Sequence, residues 1–160
     1  MEIELRLLAL LVLANGAPII ARHLLGDCCS WPVDGGMRTP AGQPVLGPSK
    51  TLRGVVTAML LTSAAAPLVG IAWHWGTAIG GFAMLGDLLA SFTKRRLGYP
   101  PSSQAVGLDQ IPESLLPLLV IAPVFNLRWW SVLVVVLGFC VVVPLLSRLF
   151  YLMGIRRRPY

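Results

Sequence analysis

The sequence predicts an all-α fold, a polytopic integral membrane protein with five transmembrane helices and two cytoplasmic polar loops, in one membrane domain over 1–160. Three observations predict it. Of the 160 residues, 56% are hydrophobic and only 12% are charged, where a soluble domain carries about a quarter charged residues. The apolar residues gather in five runs, at 5–25, 55–72, 76–92, 112–126 and 131–153, on the scale of the ~20 residues that cross a bilayer. The cations stand at the ends of those runs. No basic stripe interleaved with aromatics is present, so the net charge of +6 is read as membrane topology and not as nucleic-acid binding.

The first run, 5–25, is interrupted by Asn15, Gly16 and Pro18. Pro18 frees a carbonyl one turn back, so a kink is expected, with Asn15 satisfying loosened backbone or lining a polar pocket. The preceding MEIELR is net acidic and lacks the positive n-region of a signal peptide, so this run is expected to stay as a helix. The polar loop 26–54 follows, with Gly-Gly and X-Pro steps that forbid a helix. Cys28, Cys29 and Cys140 show neither CxxC spacing nor a His partner, so no zinc site or disulfide framework is expected. Gly42 to Thr51 lacks the spacing and the βαβ setting of a phosphate loop. Ser49, Lys50, Thr51 and Arg53 nevertheless stand at the start of the second helix, where backbone N–H groups, the helix dipole and two cations favour an anion.

The second run, 55–72, carries the small residues Ser63 to Ala66, which close packing in lipid prefers. Trp73, His74 and Trp75 are expected to form a short turn at the opposite interface, with His74 interfacial and not catalytic. The third run, 76–92, holds Gly76, Gly80, Gly81 and Gly86, which suggest tight burial. Asp87, Ser91 and Lys94 fall on one face at helical spacing. An acid inside a membrane helix costs at least a few kcal/mol and is a functional candidate by default; the plain alternative is a structural Asp87–Lys94 ion pair. Lys94, Arg95 and Arg96 mark the inner side, and the loop 93–111 leads to Asp109, expected to cap the fourth helix with Pro112 in its first turn and Glu113 one turn on. The fourth run, 112–126, contains Pro117 and Pro123, both expected to kink it. Arg128, Trp129 and Trp130 mark the outer surface, and the valine-rich fifth run ends before Arg156, Arg157 and Arg158.

Placing the C-terminus inside puts eleven of the 13 Lys and Arg residues at the inner side, leaving Arg6 and Arg128 outside. The N-terminus is then outside, and both polar loops face the cytoplasm. Asp87, Asp109 and Glu113 converge there with many cations. Oxygen donors without His or Cys suit Mg²⁺, which completes its shell with substrate phosphates, and neighbouring Lys and Arg suit a triphosphate. Phosphoryl or nucleotidyl transfer is the chemistry this set permits, with a lipid phosphate as a possible nucleophile.

LGDLLASFTKRRLG (85–98) and GLDQIPESL (107–115), with NGAP (15–18), PVDGG (32–36) and LGPSKTLRG (46–54), closely resemble the signature of the CDP-archaeol synthases, small five-span relatives of the CTP:phosphatidate cytidylyltransferases. The resemblance implies Mg²⁺-dependent transfer of a cytidylyl group from CTP to a membrane lipid phosphate, an ether-lipid phosphate or phosphatidate, with release of pyrophosphate. It implies that Asp87 and Asp109, with Glu113, hold metal and that Lys50, Thr51 and Arg53 meet the nucleotide phosphates. Ser91, Lys94, Arg95 and Arg96 would bind CTP or the lipid head, while Asn15 and Asp34 shape the pocket. Two places depart from the family pattern: Pro112 and then Glu113 stand where a second Asp commonly follows the Asp-Gln pair, and AGQPVLG (41–47) lacks the acid and arginine that often precede its Leu-Gly. The competing readings are a non-catalytic nucleotide- or lipid-binding relative and, last, a small transporter.

Overall fold

A computed structural model describes residues 1–154 of the chain; the Arg156–Arg158 cluster lies outside the described residues. Among the described residues five α-helices follow one another: α1 Glu2–Leu25, α2 Leu52–Ala65 with a 3₁₀ turn Ala66–Val69, α3 Trp73–Arg96, α4 Gln110–Ile121 and α5 Trp129–Leu152. Among the described residues the only extended pairings are two isolated bridges in the first loop. Glu2–Leu25, Leu52–Val69 and Trp129–Leu152 are long and apolar enough to cross a membrane. Helix α3 has the length, but Asp87, Lys94, Arg95 and Arg96 dilute its apolar character. Helix α4, at 12 residues, rises only about 18 Å.

The exterior is apolar and the interior partly polar, the arrangement a hydrocarbon solvent selects. Leu60, Leu68, Leu85, Leu89, Val134, Leu137 and Val141 are exposed, while Glu113, Gln110, Ser114, Ser91, Lys94 and Arg95 are buried. The apolar core joins Leu7, Leu10, Leu11 and Ala14 of α1 to Ile79 and Ala83 of α3, Leu118 and Ile121 of α4, and Val135 and Phe139 of α5. Trp129 and Trp130 stack at 4.0 Å and are both exposed, as an interfacial belt requires.

Several expected boundaries move. Trp73, His74 and Trp75 are not a turn: they open α3, and the reversal falls at 70–72, where Gly70 takes a φ of 74°. The second helix starts at Leu52, three residues before its apolar run, because Thr51 caps it by accepting from the Gly54 N–H at 3.2 Å. The fourth helix ends at Ile121, so Pro123 follows the helix instead of kinking it. Asp109 sits at the N-cap position of α4 without a side-chain cap bond; its Oδ2 accepts from the Ala105 N–H at 2.8 Å, back into the loop.

Helices α2 and α3 touch backbone to backbone. A Cβ at Gly76 would meet Thr62 O and lie 2.6 Å from Ala66 Cβ. Helices α3 and α4 do the same at Gly86, whose position would put a Cβ against Pro112 O, 2.5 Å from Pro112 C and 2.6 Å from Glu113 Cα. That second contact sets Asp87 of α3 beside Glu113 of α4.

Candidate active site

The polar residues meet at one end of the bundle, beneath the loops 26–51 and 97–109. The loops touch each other there: a Cβ at Gly47 would lie 3.8 Å from Pro101 Cβ. A short antiparallel bridge fixes the first loop. Val33 N–H donates to Lys50 O at 2.8 Å and Leu52 N–H to Trp31 O at 2.9 Å, which holds Lys50 over α3. Its Nζ lies 2.7 Å from both Oδ1 and Oδ2 of Asp87. Both side chains keep partial access, with 21% and 24% of their surface exposed, so the pair opens onto a small cleft with Ser49, Thr51, Pro18 and Met84.

The Asp87–Lys94 pair offered by helical spacing does not form. Lys94 Nζ instead lies 2.6 Å from Asp109 Oδ1 and donates to Ser103 O at 2.8 Å. With Oδ2 taken by Ala105 N–H, Asp109 closes the second loop onto α3. Glu113 is 2% exposed and its Oε1 accepts from the Asn15 amide at 2.7 Å, so α1 and α4 are joined inside the bundle. Among the described residues no three His, Cys, Asp or Glu side chains close into a metal-binding group, so the expected trio Asp87, Asp109 and Glu113 does not form a self-sufficient cage.

Arg95 is 3% exposed, and its Nε and Nη1 have no hydrogen-bond partner among the described residues. Its nearby acid, Asp109, is already bonded to Lys94. A buried guanidinium without an anion is strongly disfavoured, so this corner is short of one negative group. Ser91 is buried one turn below it. Arg96 is exposed and packs over the Phe92 ring at 4.9 Å.

Three predicted ligand contacts have structural occupations. Arg53 Nη1 donates to Gly26 O at 3.0 Å and to Cys28 O, tying α2 to the end of α1. Thr51 is the α2 cap. Asp34, 5% exposed, accepts from Gly36 N–H at 3.0 Å and Leu46 N–H at 2.8 Å. Burial pushes its carboxyl up, but the Leu46, Gly36 and Gly47 N–H groups outweigh it and hold the group below its ordinary value. Sequence reasoning missed Gln110, whose Oε1 accepts from Gly107 N–H at 2.7 Å; the adjacent Asp109-Gln110 pair at a glycine-marked helix start was the available signal.

Fold and site together define a multi-pass intramembrane protein with its polar centre at one end of a helical bundle. The CarS-like family model, described as CDP-archaeol synthase, matches residues 3–160, and the chain belongs to that family. It is 40% identical over 104 residues to a CDP-archaeol synthase of Hyperthermus butylicus, a match covering 61% of this chain and 59% of that relative. It is 29% identical over 128 residues to one of Saccharolobus islandicus, covering 76% and 73%. A solved structure described as "an intramembrane enzyme for archaeal membrane lipids biosynthesis" superposes with a TM-score of 0.73 at 27% identity, covering 86% of this chain and 87% of the other.

Proposed function

We propose that this chain transfers a cytidylyl group from CTP to the phosphate of a membrane lipid and releases pyrophosphate. The family supplies the reaction class. The observation that carries the reading to this chain is Arg95, buried with two unanswered donors beside a cluster in which Lys94 and Asp109 already cancel. That arrangement asks for an anion with several oxygens, which a phosphate chain provides. The lipid phosphate oxygen attacks the α-phosphorus of CTP, a P–O bond forms, the α–β anhydride bond breaks, and pyrophosphate leaves with its electron pair. Lys50 and Arg95 hold the phosphates in line and stabilise the charge that develops on them.

The donor set suits Mg²⁺. Asp87, Asp109 and Glu113 are hard oxygen donors, and this ion usually combines one or two carboxylates with substrate phosphates. Asp87, half open beside Lys50, would be one ligand and Asp109 another. When bound, the ion neutralises phosphate charge and lowers the barrier to attack. The cation distribution supports a topology with the loops, the C-terminus and this chemistry on the cytoplasmic side of the cell membrane and the N-terminus outside.

The test is label transfer from radiolabelled CTP to a panel of ether-lipid phosphates and phosphatidates by purified protein with Mg²⁺. Lipid-borne label with matching pyrophosphate is expected; no label across the panel overturns the reading. A second reading, nucleotide binding without turnover, is favoured by the full engagement of both Asp109 oxygens, and saturable CTP binding without label would establish it.

A further inference from the structure

Helices α1 and α5 are packed at one end and parted at the other. Near the N-terminus of α1, Ser131 donates to Glu4 Oε1 at 2.7 Å, and Leu7, Leu10 and Leu11 share a buried cluster with Val135 and Phe139. Further along, a groove of about 140 Å³, open on one side, lies between 12–20 of α1 and 143–150 of α5. It extends about 12 Å along α1. Val12, Leu13, Ile19, Leu146 and Phe150 give it hydrocarbon walls. Gly16 keeps it open, since a Cβ there would meet nothing within 4 Å. Asn15 belongs both to the groove wall and to the candidate site, through its bond to Glu113.

We infer that this α1–α5 groove holds one hydrocarbon chain of the acceptor lipid and brings its phosphate to the polar end of the bundle. The inference rests on the lipid-phosphate reading above. Three features select this occupant. The walls are apolar, the groove opens between two helices that are each long and apolar enough to cross a membrane, and it lies on the half of α1 and α5 nearest the polar loops, with its inner wall bonded to a buried site carboxylate. A chain that leaves the bilayer for the groove exchanges one hydrocarbon surface for another, so little hydrophobic energy is gained. The groove therefore acts through shape and alignment, and filling it discriminates between long and short chains.

Two measurements on the full chain in phosphatidylcholine nanodiscs test this. First, Gly16→Leu and Val143→Phe narrow the groove, while Val141→Trp adds bulk on an exposed face of α5. The ratio of KM for a long-chain lipid phosphate to that for a short-chain one is expected to rise about tenfold in the first two, a typical penalty for crowding an apolar subsite. It should stay at the wild-type value in the third. Equal changes for both chain lengths, or the same shift in Val141→Trp, overturn the inference. Second, a fluorophore on Leu146→Cys, with Cys28, Cys29 and Cys140 replaced by serine, is expected to be quenched saturably by a lipid phosphate bearing a nitroxide on one chain. Quenching no greater than by the same chains under a choline headgroup overturns it. Saturable quenching in a protein that transfers no label would retain the groove and defeat the cytidylyl-transfer reading alone.

Discussion

Substituting Gly86 by alanine tests whether the approach of α3 to α4 builds the site. The added Cβ would lie 2.5 Å from Pro112 C and 2.6 Å from Glu113 Cα, and both are backbone atoms that no rotamer change can move. Ordinary contact begins at 3.4 Å, so the helices must part by about 1 Å, an overpacking that costs ~1–3 kcal/mol. The displacement falls between Asp87 and Glu113. A misplacement of about 1 Å at a reacting centre can cost ~10²-fold in rate. Two controls separate the effects. At Gly81 a Cβ would meet only the flexible Met59 side chain, at 3.7 Å and beyond, so Gly81→Ala should match wild type. At Gly76 the clash is with α2, away from the carboxylates, so Gly76→Ala should lose thermal stability in detergent with a smaller loss of turnover than Gly86→Ala. If Gly86→Ala proves as active and as stable as Gly81→Ala, the close approach of α3 and α4 does not set the site.

Asp87→Asn removes the charge that faces Lys50 from both oxygens; CTP turnover should fall by at least ~10²-fold, on the scale of losing one electrostatic stabiliser, and undiminished label transfer would remove Asp87 from the site. Asn15→Ala strips Glu113 of its 2.7 Å donor inside the bundle and should lower unfolding free energy in detergent by ~1–3 kcal/mol; an unchanged melting curve would show that this bond contributes nothing. Asp34 gives a pH signature. Its folded carboxyl titrates below the ordinary value of 3.8, so its stabilisation is complete above that value and is lost as pH falls through the lower folded value. Asp34→Asn should therefore be less stable than wild type at neutral pH, with the gap closing below about pH 3.8. A gap that is constant with pH would mean the charge of Asp34 is not what holds the loop.

The helices were legible because hydropathy and caps act locally. Pro112 fell in the first turn of α4, Thr51 stood beside the cations that open α2, and the valine-rich fifth run became α5. The misplaced boundaries came from residues that report depth more than backbone conformation. Trp73 and Trp75 mark an interface whether they lie in a turn or a helix, and the stop signal was Gly70 beside them. That these residues gather was legible too: Asn15, Lys50, Asp87, Lys94, Arg95, Asp109 and Glu113 all lie at the polar end. Their partners were not. Spacing along α3 offered Asp87 to Lys94, seven residues on, but Lys50 reaches Asp87 from 37 residues away because the bridge at 31–33 and 50–52 folds the first loop over α3. Nothing in a single sequence announces that bridge, and the same is true of the 98-residue separation between Asn15 and Glu113.

Asp87, Asp109 and Glu113 at the polar end are each answered by a different segment. Asp87 of α3 takes Lys50 from the first loop, Asp109 beside α4 takes Lys94 from α3, and Glu113 of α4 takes Asn15 from α1. In an apolar bundle an unanswered carboxylate would cost several kcal/mol, so these bonds make the acids tolerable and also lock the loops to the helices. At the far end Leu7, Leu10, Leu11 and Phe139 achieve cohesion by packing alone. Arg95 breaks the pattern, since it is buried and charged with no such partner. A fold that bonds these three acids, two of them to lysines, and leaves a guanidinium open has a deficit of hydrogen-bond acceptors at one place. On the proposed reading, a soluble phosphate chain or the head of an anionic lipid would remove that deficit on arrival, and most other molecules at a membrane surface would not.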